Sequence, residues 1–333
     1  MVDTFRLLTR TQTLAALVLS LCFFWLGTER AEAALRVVTS FPHDAAIVQA
    51  VGGSHVEVVS LAKASKDPHA IQPKPSMALV LNRADLLVTN GQDMDLAWLP
   101  IALSNARNPR ILDGEPGNFD PSEGASLIPY SPDELQDTPF YALNLIGGAG
   151  KTGDGKAGLS RGNHHYWLDP ANGVVVARNL ARKLSELDPE HAAEFRTNAD
   201  RFEKRLMERV AVWDAAMKPF AGTPVVSYHR DWTYLIHRHG LRLVGYVEPR
   251  ETIPPSAGEV VKLIQRMKRE NARLILTSPW QNQRIPGEIA RQVGGTHLVL
   301  PSSVGSDVGV QDYLDLFEAI YGKLIPALQG LRD

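Results

Sequence analysis

Along most of the chain, short β-branched runs alternate with segments whose apolar residues recur at helical spacing. "LRVVTS" (35–40) leads into "HDAAIVQAVGG" (43–53), an amphipathic stretch closed by Gly52 and Gly53. "HVEVVSLA" (55–62) follows, then a proline-rich loop and a helix expected to begin near Ser76 as N-cap. "ADLLVTNG" (84–91) reads as the next strand and "DMDLAWLPIALSNA" (93–106) as the next helix. This alternation predicts βαβ units and a parallel sheet covered on both faces.

From Asp113 to Gly162 the pattern dissolves into Gly, Pro, Ser and Asp, with a glycine-rich stretch over 147–162 expected to form a surface loop. Asp188-Pro189 then opens a long helix. Its apolar stripe runs through Phe195, Ala199, Phe202, Leu206, Val210, Trp213 and Met217, with no Gly or Pro before Pro219. At ~1.5 Å per residue this helix is longer than one small domain needs, which suits a bridge. A second series begins at once: "TPVVSYH" (223–229), "LRLVGYV" (241–247), "RLILTS" (273–278) and "THLVLP" (296–301), separated by helical patterns and closed by "DYLDLFEAIYGKLIPAL" (312–328). The expected fold is α/β: two lobes, each a parallel sheet flanked by helices, joined by one long rigid helix. The expected boundaries are a signal peptide at 1–33, lobes at 34–187 and 220–333, and the linking helix at 188–219.

With 333 residues, 44% of them hydrophobic, the chain can fill the cores of two such lobes. A formal net charge of -2 with no long run of one sign argues against nucleic acid or an anionic membrane as partner. Arg6 and Arg10 precede the apolar "TLAALVLSLCFFWLG", and Ala31-Glu32-Ala33 offers a cleavage site, so export by a cleaved signal peptide is expected. Cys22, the only cysteine, lies inside the apolar segment. Leu21 stands where a lipoprotein signal wants a small residue, so lipid anchoring is not expected. The mature chain then has no thiolate, and any metal site must use His, Asp and Glu.

The histidines fall suggestively. His69 sits in "DPHAIQPKPS" (67–76), a loop stiffened by three prolines; His164 and His165 sit in "NHHYWLDP"; His229 ends the strand "TPVVSYH". All occupy loops or strand ends in both halves, where open α/β sheets bind ligands. Neutral imidazoles suit Zn²⁺, with Asp169 and Asp231 near enough in sequence to hold the rings. The bland alternative has His69 and His229 capping loops, with His164 and His165 solvated. His43 follows the first strand and is a minor candidate, whereas His55, His191, His237, His239 and His297 read as structural or surface residues. Gly150-Lys151-Thr152 is no phosphate loop, because Leu145 replaces the required upstream glycine.

Taken in order, "DPHAIQPKPS", "NHHYWLDP" and "VVSYHRDWTY" resemble three motifs of the zinc/manganese-binding solute-binding proteins of ABC transporters, and the likeness covers nearly the whole mature chain. The resemblance implies a metal held between helix-linked lobes and handed to a membrane permease, by a monomer with no enzymatic activity. Motif by motif it implies His69, His165 and His229 as ligands; His164 replaces the motif's proline. Where the family often has a further aspartate, this chain has Ser302 and Ser303, so Asp307, Glu248, Ser302 or water are left as candidates for a fourth position. Three imidazoles favour Zn²⁺ over Mn²⁺. The rival from another class is an exported zinc-dependent hydrolase with a water-completed three-histidine site, although the chain has no H-E-x-x-H pattern.

Overall fold

The computed structural model describes residues 34–130, 162–250 and 252–332. The expectations for the signal peptide, for Cys22 and for nearly all of the glycine-rich stretch fall outside these residues. The first sheet holds β1 (Leu35–Thr39), β2 (Val56–Ser60), β3 (Leu86–Val88) and β4 (Asn118–Phe119) in the order β2-β1-β3-β4. The second holds β5 (Pro224–Ser227), β6 (Arg242–Tyr246), β7 (Leu274–Thr277) and β8 (Thr296–Val299) in the order β6-β5-β7-β8. Every pairing is parallel, so both lobes repeat one topology. The inner strands are buried on both faces, as parallel strands between helices must be: Val37, Val38, Leu86, Leu87 and Val88 are each at most 2% exposed. β4 was not foreseen, since two residues cannot show a period.

Around the first sheet lie α1 (Pro42–Gly52), α2 (Pro75–Asn82), α3 (Leu99–Ala106) and α4 (Pro170–Leu187). Two of their starts differ from expectation for one reason. Pro75 and Pro100 lack an N–H and fit only a first turn, so α2 begins at Pro75 with Lys74 as N-cap, and α3 begins at Leu99. The residues ahead of α3 make turns instead, with Gln92 and Asp93 at φ of 51° and 67°.

The long helix α5 spans Ala192–Met217, 26 residues or about 39 Å. Six of the seven predicted stripe residues are buried, Phe202 being the exception. It packs chiefly on α4. The second sheet is flanked by α6 (Thr233–Arg238), α7 (Ala257–Arg269), α8 (Arg284–Val293) and α9 (Tyr313–Gln329). Alternation along β5 and β7 divides the second core. Val226 and Ile275 face a cluster with α7 and α8, while Val225, Leu274 and Leu276 join a cluster that runs through α5 and α9 into the first lobe. Gly173 of α4 permits this union. A Cβ there would stand 2.3 Å from the Tyr313 ring, whose hydroxyl donates to the Trp167 carbonyl at 2.6 Å. One continuous apolar core therefore links the lobes beneath the loops that carry the histidines.

Candidate metal centre

His69 and His165 are oriented by the same short device. In Asp67-Pro68-His69, Asp67 Oδ1 accepts the His69 backbone N–H at 2.9 Å and lies 2.8 Å from its Nδ1. In Asn163-His164-His165, Asn163 Oδ1 accepts the His165 N–H at 2.9 Å and lies 2.9 Å from its Nδ1. An acceptor two residues upstream thus puts the proton on Nδ1 and leaves Nε2 as the lone-pair nitrogen. His165 Nε2 is buried with no hydrogen-bond partner.

His229 comes from the other lobe, just beyond β5, where the Ser227 hydroxyl donates to its carbonyl. Its Nδ1 is buried without a hydrogen bond, with Glu248 Oε1 at 3.9 Å. One nitrogen from each of His69, His165 and His229 lies within 4.8 Å of the other two, and all three residues are buried. A tetrahedral zinc with bonds of ~2.05 Å wants its nitrogens about 3.3 Å apart, so a modest inward movement suffices. Burial first, and the neighbouring charged groups after it, push the His165 and His229 imidazoles well below the ordinary histidine range. Both are neutral at pH 7 and offer lone pairs.

His164 is not solvated, as the bland alternative had it. It is 2% exposed, with Nε2 3.1 Å from His69 Nε2 and Nδ1 3.3 Å from the Tyr130 hydroxyl. Tyr130 O–H donating to Nδ1 and His164 N–H donating to His69 completes the chain from the Asp67 carboxylate. The expectation that Asp169 and Asp231 hold the rings is corrected. Asp169 caps α4 through Ala171 N–H and pairs with Arg238, both at 2.9 Å, and Asp231 accepts from Ser278 and Gln281. Asp67 and Asn163 take that part, legible only as an Asx residue two places before each histidine.

The candidates for a fourth position separate clearly. Asp307 is committed to an ion pair with Lys323. Ser302 and Ser303 line a cleft of ≈ 20 Å³ together with His43, His165, Trp167 and Trp280, room for about one water-sized occupant. Glu248 is the carboxylate facing His229. His43 makes two hydrogen bonds instead, at 3.2 Å to Ser303 Oγ and 3.1 Å to Asn90 Oδ1, and stacks on Trp167.

Two matching lobes on one long helix, with imidazoles converging from both, is the frame of a helix-linked binding protein. Residues 37–327 match the model of the ZnuA family, described as the periplasmic component A of zinc-uptake complexes, and the chain belongs to that family. It is 26% identical to the high-affinity zinc uptake system protein ZnuA of Paracoccus denitrificans, over 86% of this chain and 89% of that protein. The ZnuA of Brucella abortus is 30% identical over 115 residues, and the match spans only about a third of its length, 34%. Among solved structures, a ZnuA crystal structure superposes with a TM-score of 0.70 at 19% identity, covering 89% of this chain and 99% of that one. A manganese-bound periplasmic metal binding protein from Candidatus Liberibacter asiaticus gives 0.69 at 19% identity, covering 88% and 99%. Similarity at that identity speaks for the fold.

Proposed function

We propose that this chain is an exported solute-binding protein that captures Zn²⁺ between its lobes and delivers it to an ABC-transporter permease. One observation carries the reading: three buried imidazoles from both lobes converge within 4.8 Å, in a chain of the ZnuA family. His69 and His165 would supply two nitrogens from the lobe at 34–187, and His229 the third from the lobe at 220–333, with 188–219 as the connection between them. The ion is cargo, and no bond-making chemistry is asked of the site. A donor set of three neutral imidazoles favours zinc over manganese, which prefers oxygen. Glu248 or a water would complete a four-coordinate shell. The family is a transport component, which disfavours the hydrolase alternative.

The test is titration of chelator-stripped protein with Zn²⁺ and, separately, Mn²⁺, following bound metal and thermal stability. Zinc should bind tightly and raise Tm, as any ligand of the native state must, with manganese much weaker. Equal or tighter manganese would overturn the zinc assignment. No tight binding of either would overturn metal capture.

A further inference from the structure

At the opposite end of the first sheet a second donor cluster forms. His55 occupies a 3-10 turn (Gly53–His55) at the amino end of β2, His191 immediately precedes α5, and Asp188 lies in the connection from α4. One ligand atom from each of these three lies within 4.8 Å of the other two. His55 Nε2 is 2.9 Å from Glu194 Oε2, and His191 Nδ1 is 2.7 Å from Asp188 Oδ2. The two rings stack with centroids 3.7 Å apart and planes at 21°, against the edge of Phe195. Side-chain exposure is 22% for His55, 24% for His191 and 14% for Asp188, so solvent ions reach a site that is partly shielded from water.

We infer that His55, His191 and Asp188, with Glu194 beside them, form a second divalent-metal site independent of the cleft. Two ring–carboxylate pairs, His55–Glu194 and His191–Asp188, are pressed face to face here. Each hydrogen bond between ring and carboxylate holds a proton where a shared cation can stand. The two carboxylates offset the positive end of the α5 dipole, which would otherwise disfavour a cation. Two imidazole nitrogens with one or two carboxylate oxygens select a borderline ion such as Zn²⁺ or Cu²⁺ over Ca²⁺ or Mg²⁺. Greater exposure makes this the weaker of the two proposed sites.

The experiment counts Zn²⁺ bound at equilibrium dialysis by the stripped full-length chain. The His55→Ala/His191→Ala variant should hold one ion fewer than the wild type, and Asp188→Asn, which keeps an acceptor for the His191 N–H, should lose the same ion. A His69→Ala/His229→Ala variant should retain it, so each site fails separately. An unchanged count in the first two variants overturns this site, whereas an unchanged count in the third overturns the cleft reading alone. If the first variant does not fold, Cu²⁺ electron paramagnetic resonance on the cleft variant decides. Nitrogen-coordinated copper there supports the site, and its absence overturns it.

Discussion

The two lobes share a strand order, yet corresponding loops carry different chemistry. Beyond the first sheet's β1 stands His43, and beyond the second sheet's β5 stands His229. Both are buried, and burial lowers both imidazole pKa values, that of His43 to about 3. They differ in what their nitrogens already hold. His43 spends both on Asn90 and Ser303, whereas His229 Nδ1 has no hydrogen bond. Loops after β2 and β6 diverge in the same way, one presenting His69 and the other Glu248. Position in the fold brings a residue to the cleft; the bonds already made separate His43 from His229, whereas His69, held by Asp67 and His164, must give up its His164 contact to take a cation.

The sharpest way to break this comparison is to delete each histidine in turn. His229→Ala should lower zinc affinity by more than the ~10–100-fold that loss of an outer-shell partner costs. His43→Ala should leave affinity nearly intact and lower Tm, because it empties the stack on Trp167 and orphans Asn90 and Ser303. Calorimetric titration beside thermal melts reads both. Equal affinity losses would mean that fold position, not bonding, makes the donor.

Much of this was legible in the sequence, for physical reasons. The strands are β-branched runs bounded by turn residues, and the long helix shows its stripe because one face must be apolar to bury. His69, the His164–His165 pair and His229 could be picked out in loops and strand ends, and only the likeness to the family's motif preferred His165 to His164. What stayed hidden was side-chain direction. Asp169 and Asp231 are near the histidines in sequence, but one caps a helix and the other faces Ser278 and Gln281. The partners of His43 lie 47 and 260 residues away, and no local pattern announces them. His55 and His191, 136 positions apart by their numbers, meet only because α5 packs against the first lobe.

A smaller effect tests the shared turn of His69 and His165. Asp67→Ala and Asn163→Ala each remove the acceptor that fixes a ring, and each should cost ~10–100-fold in zinc affinity. The two should then part company in stability. Asn163 Nδ2 also donates to the Arg230 carbonyl at 2.9 Å, joining the first lobe to the segment just beyond His229. Asn163→Asp keeps the acceptor and loses that donor. It should hold affinity better than Asn163→Ala while melting below the wild type. A melt unchanged from the wild type would show that this bond does not hold the lobes.

The smallest effect concerns acid, and here the first lobe opposes itself. Burial penalises the charged imidazole of His43 and pushes it down to about 3 in the folded protein, from an ordinary 6.5. Its contribution to stability is complete above pH 6.5 and is lost as pH falls from 6.5 towards 3. At pH 5 that loss is about 2 kcal/mol. Asp95, pushed up to about 7 by burial, has the opposite sign: its contribution is complete below pH 3.8 and lost as pH rises towards 7. The two slopes overlap between about pH 4 and 6.5 and partly cancel. His43→Gln removes the first and leaves the second, so chemical denaturation should find the variant losing less stability than the wild type between pH 7 and 5. If both lose equally, His43 takes up its proton without cost, and its two hydrogen bonds do not distinguish it from His229 in the way the comparison requires.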